Sequence, residues 1–170
     1  KTLELAEEVG VPAPKGITIR SMEELSVLEG SIKYPVVLKP ARSIGTGGGE
    51  ASQLKVSYAF DPVELRAGCS HALKFGSIVL QEYFAGKGVG IELIADNGRI
   101  AYAFQHLRLH EVPLTGGGSS LRKSEPVSPQ LLKASELLIH ALGWHGVAMV
   151  EFKLNTDTGE FCLMEINGRF

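Results

Sequence analysis

The residues best suited to chemistry lie near the C-terminus. Glu151 sits between Val150 and Phe152, and Glu165 between Met164 and Ile166. In strands both carboxylates would stand on faces otherwise apolar. Asn167, two residues after Glu165, shares its face by the strand period of two. Two carboxylates and an amide oxygen on adjacent strands form an all-oxygen set suited to Mg²⁺, a hard cation that keeps water or phosphate oxygens in its other positions. Arg169 continues the parity and is placed to offset charge building on a transferred phosphoryl group.

Further upstream, Lys39 ends an apolar run and precedes a loop containing Gly45, Gly47, Gly48 and Gly49. A lysine there reaches phosphates as a point charge, and glycines let backbone amides approach phosphate oxygens. No Gly-Lys-Ser/Thr follows, so this is not a Walker A loop. Gln81, Glu82, Tyr83 and Phe84 close another apolar strand, where backbone polar groups can read an adenine edge between apolar side chains. Arg108, Glu111 and Arg122 are candidates to contact substrate, since a guanidinium grips carboxylate or phosphate bidentately. His106 and His110 are not in an H-E-x-x-H pattern, and their surroundings read as strand, which argues against zinc.

These residues need elements to hold them. Leu3, Leu5, Ala6 and Val9 give a short helix that Gly10 stops. Gly16–Arg20 reads as a strand, Ser21–Glu24 as a capping box, and Tyr34–Lys39 as a buried strand. Asp61-Pro62 opens a helix, as does Ser128-Pro129. Ser77–Phe84 is a strand. Gly90–Ala95 and Arg99–Leu109 pair around Asp96-Asn97-Gly98, and two final strands, Gly146–Leu154 and Phe161–Ile166, form a second hairpin. The expected division is into two α+β lobes, 1–79 and 80–170, joined within Val79–Phe84.

The chain has 170 residues, a net charge of −2 and 44% hydrophobic residues. That supports a packed core and argues against a strongly basic nucleic-acid binder. No apolar run is long enough for a transmembrane helix, and the acidic N-terminus is unlike a signal peptide. No membrane or nucleic-acid partner is expected, and the location expected is cytoplasmic. Cys69 and Cys162 read as free thiols.

Taken in order, GVPAPK (10–15), YPVVLKP (34–40), the glycine loop, VLQEYF (79–84), the hairpin, GVAMVEF (146–152) and LMEINGR (163–169) resemble an ATP-grasp domain. The nearest branch is similar to the large chain of carbamoyl phosphate synthetase and to carboxylate–amine ligases. The resemblance implies an α+β fold clasping ATP between two lobes, the first acting as a lid. It implies that Lys39 contacts the α/β-phosphates and acts in catalysis with Arg169, that the glycine loop closes over them, and that Glu82, Tyr83 and Phe84 form the adenine hinge. Glu151, Glu165 and Asn167 would hold Mg²⁺, or Mn²⁺ in its place. A carboxylate would be phosphorylated to an acylphosphate, and an amine would displace phosphate. The rival reading is a nucleotide-binding module without turnover.

The family's upstream ATP-contacting lysine would fall before Lys1. The usual ribose acid is replaced by Gly86-Lys87-Gly88-Val89-Gly90, leaving Glu82 or Glu92 as substitutes. The chain also stops just past the metal motif. The expectation is therefore a partial domain, truncated at its end, that needs the remaining segments of a parent chain to turn over.

Overall fold

The structure, a computed structural model, describes residues 2–40, 44–47, 50–53, 56–112 and 118–169. It is α+β, with two antiparallel sheets carrying helices and a small two-stranded ribbon. The chain divides into two compact units, 15–83 and a unit built from 1–14 with 84–170. The expected division placed 1–14 with the first lobe. Those residues pack instead with the second, because Ala6 and Val11 enter the same core as Ile91 and Leu93, and Leu163 N–H donates to Pro12 O at 2.8 Å.

In unit 15–83, β1 (Gly16–Ile19), β2 (Val36–Pro40), β5 (Ser57–Ala59) and β6 (Ile78–Glu82) form a sheet in the order β1-β6-β2-β5. Helices α2 (Met22–Leu28) and α3 (Pro62–Ala72) cover it around Ile19, Leu25, Leu38, Leu65, Cys69 and Ile78. Both helices start as their sequences predict. The Ser21 side chain accepts from Glu24 N–H at 3.3 Å and Asp61 accepts from Glu64 N–H at 2.8 Å, each satisfying an orphan first-turn donor.

The expected glycine loop differs from what is observed. Its first part is β3 (Ile44–Gly47), paired with β4 (Glu50–Gln53), so Gly45 and Gly47 are strand residues opposite Ser52 and Glu50. Local glycine content concealed a pairing that only the partner strand creates. Gly48 and Gly49 lie outside the described residues.

In the other unit, β7 (Lys87–Asp96), β8 (Arg99–Val112), β9 (Gly118–Glu125), β10 (Gly146–Leu154) and β11 (Phe161–Asn167) form a sheet in the order β11-β10-β7-β8-β9. Odd residues of β7 and even residues of β10 point into a core closed by α1 (Thr2–Glu8) and α4 (Pro129–Ala141), with Val89, Ile91, Leu138, Val150 and Phe152 at its centre. The turn joining β7 to β8 has φ +47° at Asn97 and +84° at Gly98, the left-handed pair the sequence predicts. The register places Gly88, Gly90 and Glu92 of β7, His106 and Arg108 of β8, Glu151 and Lys153 of β10, and Glu165 and Asn167 of β11 on the opposite face of the sheet. The candidate active site occupies that face.

Candidate active site

Two hairpins build the site. On β10 and β11, Glu151 lies directly opposite Glu165, and Met149 opposite Asn167, with an irregularity just after Glu151. The Asn167 Nδ2 amide donates to Glu151 Oε1 at 3.1 Å and to Glu165 Oε1 at 3.0 Å. Two carboxylates from different strands thus converge on one polar group. That fits a hard cation, which would take the same two oxygens, and an amide offers its oxygen end after a half-turn about χ2. The three predicted ligands are therefore brought together. Among the described residues no group of three or more His, Cys, Asp or Glu side chains could hold a metal ion. The set available is two carboxylates and this amide.

Arg108 reaches into the same cluster. It starts on β8, crosses β7 and donates to Glu151 Oε2 on β10 at 2.5 Å, with Glu111 Oε1 3.7 Å from its other nitrogen. Lys153 donates to both Glu111 oxygens at 3.3–3.4 Å. Arg108 and Glu111, singled out as substrate contacts, are thus engaged with this chain's own charges. Burial pushes the Glu151 carboxyl above its ordinary range and the nearby Glu165 adds to that, while Arg108 pulls against it.

Arg108 can cross only because β7 carries no side chain beneath it. A Cβ at Gly88 would lie 2.6 Å from Arg108 Cδ and 2.6 Å from Glu111 Oε1. Two residues on, a Cβ at Gly90 would lie 2.3 Å from His106 Cε1. His106 lies across Gly90, its Nδ1 2.5 Å from Glu92 Oε1, and both side chains are 2% exposed. Arg122, half exposed, comes within 3.5 Å of Glu92. Glu92 was weighed as a ribose ligand, and its partner here is His106. The importance of Gly88, Gly90 and the Glu92–His106 pair was missed. The signal was available: two glycines two apart, alternating with Val89 and Ile91, mark one face of a strand kept clear.

The remaining candidates are placed as follows. Arg169 lies beyond the end of β11 and is exposed, so the strand that would have carried its parity stops short of it. Lys39 is half-buried on β2, opposite Val79 of β6. Gln81 is buried in β6, flanked by Gly16 and Val37 on both sides, and Glu82 N–H donates to Lys15 O at 2.9 Å. β6 ends at Glu82, and the chain leaves the sheet at Tyr83 and Phe84. The exposed Tyr83 packs edge-on to Tyr58 at 6.0 Å.

No family model matches the chain. Its sequence is 28% identical over 173 residues to the carbamoyl phosphate synthase large chain of Agathobacter rectalis, a match that takes in 96% of this chain and 16% of that one. The backbone resembles biotin carboxylase from Campylobacter jejuni, solved as a β-γ-ATP complex, with a TM-score of 0.76 and 18% identity over 99% of this chain and 39% of that one. It also resembles D-alanine–D-alanine ligase from Bacillus anthracis complexed with ATP, with a TM-score of 0.68 and 18% identity over 98% of this chain and 51% of that one. The chain thus spans a small part of its sequence relative and about half or less of these solved chains. It has the ATP-grasp fold, and in sequence it is similar to the large chain of carbamoyl phosphate synthase.

Proposed function

We propose that this chain is the nucleotide-binding core of an ATP- and Mg²⁺-dependent ligase that activates a carboxylate as an acylphosphate for attack by an amine. The observation that carries the reading is the convergence of Glu151 and Glu165 on Asn167 across the β10–β11 register. Two carboxylates so close together repel each other, and Mg²⁺ held between them with the phosphates would offset that repulsion. The similarity to carbamoyl phosphate synthase and to ligases solved with ATP supports the same reading.

In this reading Glu151, Glu165 and Asn167 hold Mg²⁺, which supplies charge neutralisation on the phosphates being transferred. Lys39 contributes a point charge to the α/β-phosphates. Tyr83 and Phe84, where β6 has ended, hold the adenine. Arg169 stabilises charge on the reacting phosphate. Arg108 orients Glu151, and the exposed Arg122 is the better candidate to meet the acceptor carboxylate. The acceptor and amine are small molecules, and segments outside these 170 residues complete the site.

The test is ADP release by a full-length protein containing this chain, with and without Mg²⁺, across a panel of amino acids and simple carboxylates. The reading requires ADP release that depends on both the cation and a carboxylate. ATP binding with no carboxylate-dependent turnover would favour the non-catalytic module instead.

A further inference from the structure

We propose that His106, oriented by Glu92, is a further catalytic residue, and that its Nε2 accepts the proton released by the attacking amine. The inference rests on the carboxylate–amine ligase reading above. Several observations on one sheet face lead to it.

His106 and Glu92 are each 2% exposed and joined by a 2.5 Å contact between Nδ1 and Oε1. A carboxylate on Nδ1 fixes the tautomer with the proton there and leaves the lone pair on Nε2. Among the described residues, His106 Nε2 and Glu92 Oε2 are both buried without a hydrogen-bond partner. Buried polar atoms are nearly always paired, so two orphans on one dyad mark a place where a polar ligand belongs.

Their position relates them to the reacting centre. Gly90 is the register neighbour of both Glu151 and His106. The imidazole lies over Gly90 and fills the space its missing side chain leaves, on the same sheet face as the carboxylate cluster. The two are close enough for His106 to act electrostatically on the Glu151 carboxyl. Of the neighbouring charges, Arg122 on β9 comes within 3.5 Å of Glu92, and Glu151 on β10 shares Gly90 with His106 as a register neighbour. Arg108 and Lys153 are each committed to carboxylates.

The step balances. The amine lone pair attacks the acylphosphate carbonyl carbon, forming the C–N bond and moving the carbonyl π pair onto oxygen. That pair returns, the C–O bond to phosphate breaks, and phosphate departs with the bonding electrons. The N–H proton passes to His106 Nε2, and the imidazolium later gives it to solvent. Glu92 is a positioning residue, since it acts through the ring.

The experiment compares two nucleophiles on the full-length protein: ammonium or an amine, largely protonated at neutral pH and dependent on a base, and hydroxylamine, largely unprotonated there and nucleophilic enough to attack an acylphosphate with little help from a base, although its N–H proton also leaves. His106→Asn keeps an amide near Glu92 but removes Nε2. Loss of a general base costs about 10²–10⁴-fold, so the amine-to-hydroxylamine rate ratio should fall by roughly 10²-fold or more. Glu92→Gln should shift the pH profile of the amine reaction and leave that of the hydroxylamine reaction in place. Equal losses with both nucleophiles, or an unchanged ratio, would overturn the proposal. Should His106→Asn fail to fold, ¹⁵N shifts of His106 in the wild-type protein decide. An unprotonated Nε2 near neutral pH is required, and an imidazolium persisting to pH ~8, well above the ordinary His range, overturns it. A wild-type protein that forms hydroxamate from no carboxylate refutes the ligase reading itself, an outcome separate from any change in the ratio.

Discussion

Substituting Gly90 by alanine isolates the device that lets β7 be crossed. Gly90 is not among the positive-φ glycines, so its backbone tolerates any residue and the cost is steric. The added Cβ would sit 2.3 Å from His106 Cε1 and 2.8 Å from Nδ1, so the ring must retreat by about an ångström before it reaches the 3.4 Å of ordinary contact. The 2.5 Å contact with Glu92 does not survive that movement. Overpacking a filled site costs about 1–3 kcal/mol, and a buried hydrogen bond to a charged group about 1.5–3 kcal/mol. The expected loss is therefore about 2.5–6 kcal/mol, or roughly 5–24 °C in Tm for a chain of this size. Trp144, the sole tryptophan, lies in the same unit and reports its melting by fluorescence. The decisive comparison is a double-mutant cycle with His106→Ala. Once the ring is gone, Gly90→Ala should cost less than about 0.5 kcal/mol. Gly30→Ala, in the other unit, with open space around its Cβ and no positive φ, is the control, read by calorimetry, and should change stability by less than about 0.5 kcal/mol. A Gly90→Ala protein that melts with the wild type, or an equal cost in the His106→Ala background, would refute the reasoning.

Lys39→Met keeps most of the aliphatic stem and removes the charge, so ATP affinity measured by calorimetry should fall while the melting temperature holds; a collapsed melt with unchanged affinity would make its role structural. Cys69 is fully buried and its thiol is pushed up to about 11 by burial, so in the native protein it should resist alkylation at neutral pH and react only on unfolding. Prompt native-state labelling at Cys69, read by mass spectrometry, would contradict this. In the β7–β8 turn, Gly98→Ala should cost more than Asn97→Ala in thermal melts. Gly98 combines φ +84° with a Cβ position 3.2 Å from His140 Cα and O, whereas Asn97 already carries a side chain at φ +47°. The reverse order would mean that the turn relaxes freely.

Much of the scaffold was legible because its signals are local. The caps at Ser21, Asp61 and Ser128, the Asn97-Gly98 turn and the period-two pattern around Glu151 and Glu165 all depend on neighbours within a few residues. β9 was missed because Ser119, Ser120, Arg122, Lys123 and Ser124 read as a polar loop, and only pairing with β8 makes them an edge strand. β5 is three residues long and likewise borrows its structure from β2. In the site, the Glu151–Glu165–Asn167 convergence followed from parity. The Arg108–Glu151 contact did not, because it spans three strands and depends on a glycine in the middle one. The grouping of 1–14 with the C-terminal strands also needed the folded core to become visible.

The account stands on Glu151, Glu165 and Asn167 holding the cation that accompanies ATP. The most direct test is titration calorimetry of ATP into the full-length protein, with and without Mg²⁺, for the wild type and Glu165→Gln. Glu165 is exposed and bonded only to Asn167 among the described residues, so its amide variant should fold normally. The account predicts Mg²⁺-dependent ATP binding in the wild type, weakened about tenfold or more in Glu165→Gln because one anionic ligand to a hard cation is lost. Equal affinity and equal Mg²⁺ dependence in the two proteins would contradict it.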